Sequence, residues 1–274
     1  MNGFVEQCEN DADCVGKGDS FLASTCEEGI CRRAPASAVD PKWACVGQVD
    51  WPAPTRSSVR VNFTLSLLGP NLPVEGSSIR ACFRNDDDCS VAAAGPIITN
   101  GNGQASIDVP TNITTPGSLG FNGYFEITGP RHSPYLYVPT PPIVAEREAV
   151  LLVSTLEGFA RVLQTNVPDL TLAPERAILS LQSRDCEQKV TAGARFQALE
   201  ADAQTRSFYL LNGSFTPAAS ATDATGISVI ANVPTTTGQA TVVGTSDQVD
   251  GRTLSLALPV RAAHITFTEA PPTP

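Results

Sequence analysis

Between positions 59 and 67 every second residue is apolar, Val59, Val61, Phe63, Leu65 and Leu67, while Arg60, Asn62, Thr64 and Ser66 fill the gaps. A period of two marks a β-strand with one buried face. Shorter strands are predicted at 79–83, 105–109, 124–127 and 135–138, each ended by Gly, Pro or Asn. Alternation returns at Ala177, Leu179 and Leu181, at Ala194, Phe196 and Ala198, and at Leu254, Leu256, Leu258 and Val260. Evenly spaced short strands point to β-sandwiches. One stretch departs from this pattern: across 154–164, Leu156, Phe159, Ala160 and Leu163 fall on one helical face, and Ser154 with Glu157 has capping-box spacing. A lone short helix between two β regions reads as a connector.

The two β regions resemble each other. Thr99-Asn100-Gly101-Asn102-Gly103, followed by a strand closing on Val109-Pro110, can be laid on Thr222-Asp223-Ala224-Thr225-Gly226, followed by a strand closing on Val233-Pro234. The Thr-to-Gly interval is kept and the second copy is one residue longer from Gly to Val-Pro. The repeated unit is a polar turn, a glycine suited to positive φ, and a strand. A glycine also leads an earlier strand in each copy, at Gly76 and at Gly193.

This pattern resembles the carboxypeptidase regulatory-like, or transthyretin-like, domains of secreted bacterial proteins, over roughly 44–153 and 170–269. The resemblance implies seven-stranded Greek-key sandwiches used as accessory, spacer or adhesion modules, with no catalytic residues to carry over. The first 31 residues are similar to the small disulfide modules that follow the lipid anchor in bacterial surface lipoproteins. The lipid-attachment Cys and its signal are absent from this sequence, so a lipid anchor would belong to an unprocessed precursor.

Composition sharpens the picture. Pro and Gly together make about 16% of the 274 residues, which argues against a helical bundle. Three Lys and fifteen Arg in a chain of net charge −10, with no basic block, give nucleic-acid binding no electrostatic footing. No apolar run approaches the length of a transmembrane helix. Residues 1–6 lack the basic-then-apolar pattern of a signal peptide, which leaves an internal protein or one whose signal has been removed and replaced by Met1.

The cysteines favour the second. Cys8, Cys14, Cys26 and Cys31 crowd into a segment with few large apolar residues, which needs staples to fold. The first gap is too long for a usual zinc pair and no His is near, so disulfides are expected over metal. Of the three connectivities, Cys8–Cys26 with Cys14–Cys31 ties the ends of the segment most tightly. Cys82–Cys89 is the expected local bridge, leaving Cys45 and Cys186 to pair across the domains or stay reduced. An oxidising compartment follows: extracellular, periplasmic or the outer cell surface.

Candidate chemistry is thin. G-x-S-x-G, H-E-x-x-H and the phosphate-binding P-loop are missing. Of the two His, His132 reads as a solvated loop residue and His264 as a strand-face residue. Carboxylate pairs for glycoside hydrolysis arise in any acidic chain and carry no specificity. Asp86, Asp87 and Asp88, inside the loop a Cys82–Cys89 bridge would close, are weak calcium candidates, with Asn10, Asp11 and Asp13 weaker still; a solvated acidic turn is the expected reading, because calcium needs six to eight oxygens. Trp43, Trp51, Tyr124, Tyr135 and Tyr137 could form a sugar-stacking platform, though sandwich aromatics usually belong to cores. Sequons at Asn62, Asn112 and Asn212 carry no weight in a bacterium, which the Lys-poor composition and the resemblance favour.

The sequence therefore predicts an all-β protein without catalytic or cofactor sites: a disulfide module (1–35), a linker (36–43), a first sandwich (44–153), a helical connector (154–169), a second sandwich (170–269) and an extended tail (270–274), with the two sandwiches expected to be separable. The expected function is non-enzymatic binding or spacing at the cell surface, with a protein or glycan partner. The alternative is a secreted carbohydrate-active hydrolase or an accessory carbohydrate-binding protein.

Overall fold

The computed structural model describes residues 40–111, 120–217, 219–246, 249 and 252–273, and the backbone of 24–27 and 30–33. At the head, β1 (Ser24–Glu27) and β2 (Ile30–Arg33) form an antiparallel hairpin. The side chains of Cys8, Cys14, Cys26 and Cys31, and residues Asn10, Asp11 and Asp13, lie outside the described set. A 3-10 turn at Pro41–Trp43 leads into the main body.

The first half contributes β3 (Ser58–Leu67), β4 (Ser78–Phe83), β5 (Ala92–Ile98), β6 (Gln104–Pro110), β7 (Gly123–Thr128), β8 (Tyr135–Val138) and β9 (Arg147–Val153). Helix α1 (Leu156–Gln164) follows. The second half contributes β10 (Ala177–Ser183), β11 (Ala194–Ala198), β12 (Arg206–Leu211), β13 (Ser214–Thr216), β14 (Ile227–Val233), β15 (Gln239–Ser246), β16 (Arg252–Pro259) and β17 (Ile265–Ala270). Among the described residues no helix is long and apolar enough to cross a membrane.

The halves share one circuit. β3 pairs antiparallel with β6 and parallel with β9, as β10 pairs antiparallel with β14 and parallel with β17. β4 pairs with β7 and β7 with β8, as β11 pairs with β15 and β15 with β16. The repeated sequence unit supplies the same hydrogen bonds in both copies. Gly76 N donates to Thr99 O at 3.0 Å and Gly193 N to Thr222 O at 2.9 Å; Gly103 N donates to Asn100 O and Gly226 N to Asp223 O; Leu65 N donates to Gly103 O and Ser183 N to Gly226 O. Both turn glycines have positive φ, +72° and +64°. The halves differ at two strands: β5 pairs with β4, whereas its counterpart β12 has crossed to pair with β14, and β13, paired with β12, has no counterpart in the first half.

That circuit builds three sheets. β6-β3-β9 and β11-β15-β16 are separate, while the remaining strands form a single nine-stranded sheet, β13-β12-β14-β10-β17-β8-β7-β4-β5. The two halves meet where β17 runs parallel to β8, Ile265 opposite Tyr135 and Thr268 opposite Val138. Strand alternation then assigns the cores. Ile79, Phe125, Ile127, Tyr135 and Tyr137 face β6-β3-β9, and that core continues through Phe159 and Leu163 of α1 to Ile178, Phe208 and Val229. On the opposite face Leu179, Leu181, Ile230 and Val233 pack with Phe196, Val242 and Leu256 of the other small sheet, and this second core reaches back to Tyr124, Leu136 and Trp43. The two small sheets thus cover opposite faces of the shared sheet at opposite ends.

Several sequence expectations change. The helix is capped by Thr155, whose side chain accepts from Gly158 N, not by Ser154; Glu157 instead pairs with Arg161 one turn on. Ser154 N is taken by the buried Tyr135 hydroxyl, which ties that residue to the sheet. Of the five aromatics weighed as a sugar platform, Trp43, Tyr124, Tyr135 and Tyr137 are core, as sandwich aromatics usually are, all below 5% exposed, and Trp51 is half-buried. Tyr137 lies in a row with Phe125 and Phe267 across β7, β8 and β17 at 5.9 Å spacings.

A side chain at Gly103 would overlap the Leu65 carbonyl oxygen and approach Val74 N to 3.0 Å, whereas Gly69, also at positive φ, has open space around it. Gly103→Ala is expected to lose about 2–4 kcal/mol of unfolding free energy and Gly69→Ala about 1 kcal/mol, measured by denaturant titration.

Candidate functional site

The acidic loop closed by the Cys82–Cys89 disulfide (Cα–Cα 5.2 Å) sits at the junction of the halves. Two of its three carboxylates are held by protein groups. Asp86 accepts from Ser90 Oγ and from Val91 N at 2.9 Å, capping its own turn. Asp87 accepts from Gln239 Nε2 at 3.1 Å, and its backbone carbonyl accepts from Arg261 Nε at 2.6 Å. Arg84, just before the loop, donates to the Ala257 carbonyl on β16. Asp88 is an exposed turn residue. Among the described residues no group of three or more His, Cys, Asp or Glu is arranged to hold a metal ion.

Beneath the loop lies a buried ion cluster. Glu126 on β7 is 8% exposed and lies between Arg80, which donates to it at 2.5 Å, and Arg261 from the second half. Arg261 also donates to the Tyr124 hydroxyl at 2.6 Å and stands over that ring at 5.5 Å. Burial alone would raise the Glu126 carboxyl, but hydrogen bonds from both arginines outweigh it and hold the group below its ordinary value. Tyr124, buried and against nearby carboxylates, is pushed up to about 12 and keeps its proton.

A second tie crosses the same junction. Cys45 is bridged to Cys186, 141 residues away (Cα–Cα 5.8 Å), and Cys186 N donates to Lys42 O. Closing a loop of that length removes about 5 kcal/mol of unfolded-chain entropy in the loop-closure account. On the other face Glu269 of β17 is shared by Arg147 of β9 and Arg184. Thr268 Oγ1 donates to Val138 O at 2.8 Å between the two joined strands.

The histidines are placed differently from the sequence expectation. His132 is 6% exposed, its Nδ1 donating to Ser133 O and its Nε2 accepting from Ser77 Oγ at 2.9 Å. Burial lowers its basicity, which keeps the ring neutral. Gly129 makes room for this pair, because a Cβ there would come within 2.8 Å of both atoms. A Ser–His contact so enclosed meets no substrate, and the third group is a backbone carbonyl where a triad has a carboxylate. His264 is partly buried, with Nδ1 bonded to Ala262 O. Nothing in the sequence around Ser77 signals its partner 55 positions on.

No family model matches the chain, and no curated protein matches it. Among solved structures it is similar to the shaft pilin SpaA of Lactobacillus rhamnosus GG, with 14% identity over 79% of this chain and 98% of that one, at a TM-score of 0.24. The Bacillus anthracis TIE protein matches at 9% identity over 80% of this chain and 35% of that one, TM-score 0.26. The minor pilin GBS52 of Streptococcus agalactiae matches at 14% over 79% and 97%, TM-score 0.21. Scores of this size do not establish a shared fold.

Arg261→Ala is expected to lower stability by about 2–3 kcal/mol, because Glu126 stays buried with one partner instead of two. Since the folded Glu126 titrates below its unfolded value of 4.5, its contribution is complete above that pH and is lost as pH falls through the folded value. Chemical denaturation of Glu126→Gln against wild type should therefore show a stability difference that is constant near neutrality and shrinks below about pH 4.5.

Proposed function

We propose that the chain is a non-enzymatic exported or cell-surface protein, acting as a rigid spacer and binding module built from two transthyretin-like sandwiches, 44–153 and 170–269, with 154–169 connecting them. The duplicated seven-strand circuit and its repeated Thr–Gly turn support the transthyretin-like reading. The observation that carries the spacer reading is the joint. A continuous sheet, a disulfide spanning 141 positions and a buried Arg–Glu cluster all cross one boundary, fixing the halves in one orientation. Such ties suit a part that must hold distance or transmit load, and the disulfides suit an oxidising exterior. The acidic surface keeps the module soluble and apart from nucleic acid.

The reading is tested by double electron–electron resonance between ketone-linked spin labels placed at the exposed Val91 and Leu199, one in each half. A single narrow distance distribution, unchanged from dilute buffer to a crowded solution, is expected. A broad or bimodal distribution would contradict a rigid spacer.

A further inference from the structure

The loop between β7 and β8 carries His132 and ties down the start of α1. Ser133 accepts from Leu156 N through its Oγ at 2.8 Å and donates its own N to Ser154 O at 3.0 Å. Two residues on, the Tyr135 hydroxyl accepts from Ser154 N at 2.8 Å. The far end of the helix is held separately, by Gln164 at Leu170 O and Asn166 at Phe215 O. A helix of nine residues is shorter than the roughly 12–15 at which an isolated one becomes even marginally stable in water, so each end of α1 relies on such ties. Phe159, on the first turn, belongs to the core that runs through both halves.

His132 locks this loop shut. Its ring is 6% exposed and makes two hydrogen bonds in the neutral form, Nδ1–H to Ser133 O and Nε2 from Ser77 Oγ at 2.9 Å. Ser77 is fully buried, and its hydroxyl makes no other hydrogen bond among the described residues. A ring that gained a proton would carry N–H on both nitrogens, so either Nε2–H or the Ser77 hydroxyl proton would be left without an acceptor. Water cannot reach the pair while the loop is closed, because the ring packs so tightly that a Cβ on Gly129 would stand 2.8 Å from Nε2.

The new charge would also lack a counter-ion. Ahead of β4 the ring meets the Ser77 hydroxyl, after β7 it meets Gly129, and on β8 it meets the Tyr135 phenol, edge-on at 5.9 Å and kept neutral by burial. At the start of α1, Ser154, Thr155 and Leu156 carry no charge, and Glu157 is exposed and paired with Arg161. Glu75, before Ser77, is exposed, and so is Arg131, which has the same sign as an imidazolium. His264 is placed differently: it is partly buried, bonded through Nδ1 to Ala262 O at 2.7 Å, and lies in the field of both Arg261 and Glu126.

We infer that His132 is an acid-sensitive clasp: when its ring takes a proton, residues 131–133 lift away from Ser77 and the first turn of α1 comes off the core with them. Burial holds the enclosed ring below the ordinary value of 6.5, so the closed loop binds a proton less well than the open one. Closure therefore carries no penalty above that pH. Below it, each pH unit raises the ratio of open to closed by about tenfold, until the enclosed ring itself titrates. Phe159 walls an apolar hollow of about 190 Å³ together with Phe267 and Leu152, so acid would uncover apolar surface that is closed near neutrality. The β8–β17 ladder and the Cys45–Cys186 bridge lie outside the loop, and the halves stay joined while the clasp opens.

Hydrogen exchange of the intact chain, followed amide by amide by NMR and corrected for the intrinsic rate, tests this at about pH 7.5 and about pH 5.5. Expected at Ser133 and Leu156 is an opening that depends little on denaturant, leaves Ile230 protected, and is at least about fivefold more populated at the lower pH. His132→Gln should abolish that pH dependence and His264→Gln should keep it. Should His132→Gln fail to fold, the wild-type exchange decides together with the ring titration read on isotope-labelled histidine, in which His132 must titrate below 6.5. A smaller pH effect, exchange of the two amides only together with Ile230, a pH dependence that survives in His132→Gln or vanishes in His264→Gln, or a His132 ring titrating at 6.5 or above would overturn the proposal.

Discussion

Because β8 is bonded to β7 on one side and to β17 on the other, neither half of this protein ends where its own strands end. The parallel ladder between β8 and β17 turns two four- and five-stranded sheets into one, and the other cross-boundary contacts follow from it. It sets the Phe125, Tyr137 and Phe267 rings in a row. It brings Arg261 within reach of Glu126, and it lets α1 cover the face of the second half that the small sheet of that half leaves open. Covering opposite faces with the two small sheets is the geometric consequence of joining two like sandwiches through non-equivalent strands.

Much of the fold was legible because a half-buried strand writes its period into the sequence. β3, with Val59, Val61, Phe63 and Leu65 buried, was plain, as was β16. The duplicated turn was legible because the backbone there demands a positive-φ glycine at one place, Gly103 or Gly226. β5 was not legible: Ala-Ala-Ala-Gly-Pro-Ile-Ile has weak β-propensity and no clean alternation, and the strand is held by its neighbour β4. β17 alternates in sequence, Ile265 and Phe267 against Thr266 and Thr268, and reads as strand-like around His264; what the alternation hid is that its second face is buried too, Thr266 and Thr268 being fully enclosed.

The junction was the least legible part. Asp86 to Asp88 read as an acidic turn between cysteines, and only the tertiary structure shows that the loop meets Gln239 and Arg261, more than 150 positions away. Charged residues brought together by long-range strand pairing leave no local spacing to detect.

Native-state hydrogen exchange in rising denaturant measures the opening free energy of the joint directly. If the shared sheet fuses the halves, the amides of the β8–β17 ladder, Ile265 among them, should exchange only through global unfolding, with the same free energy and denaturant dependence as Ile230 in the β10–β14 ladder. Exchange of the joint amides through a smaller opening, while the β3–β6 and β10–β14 ladders stay protected, would show two independent domains in contact and contradict the account.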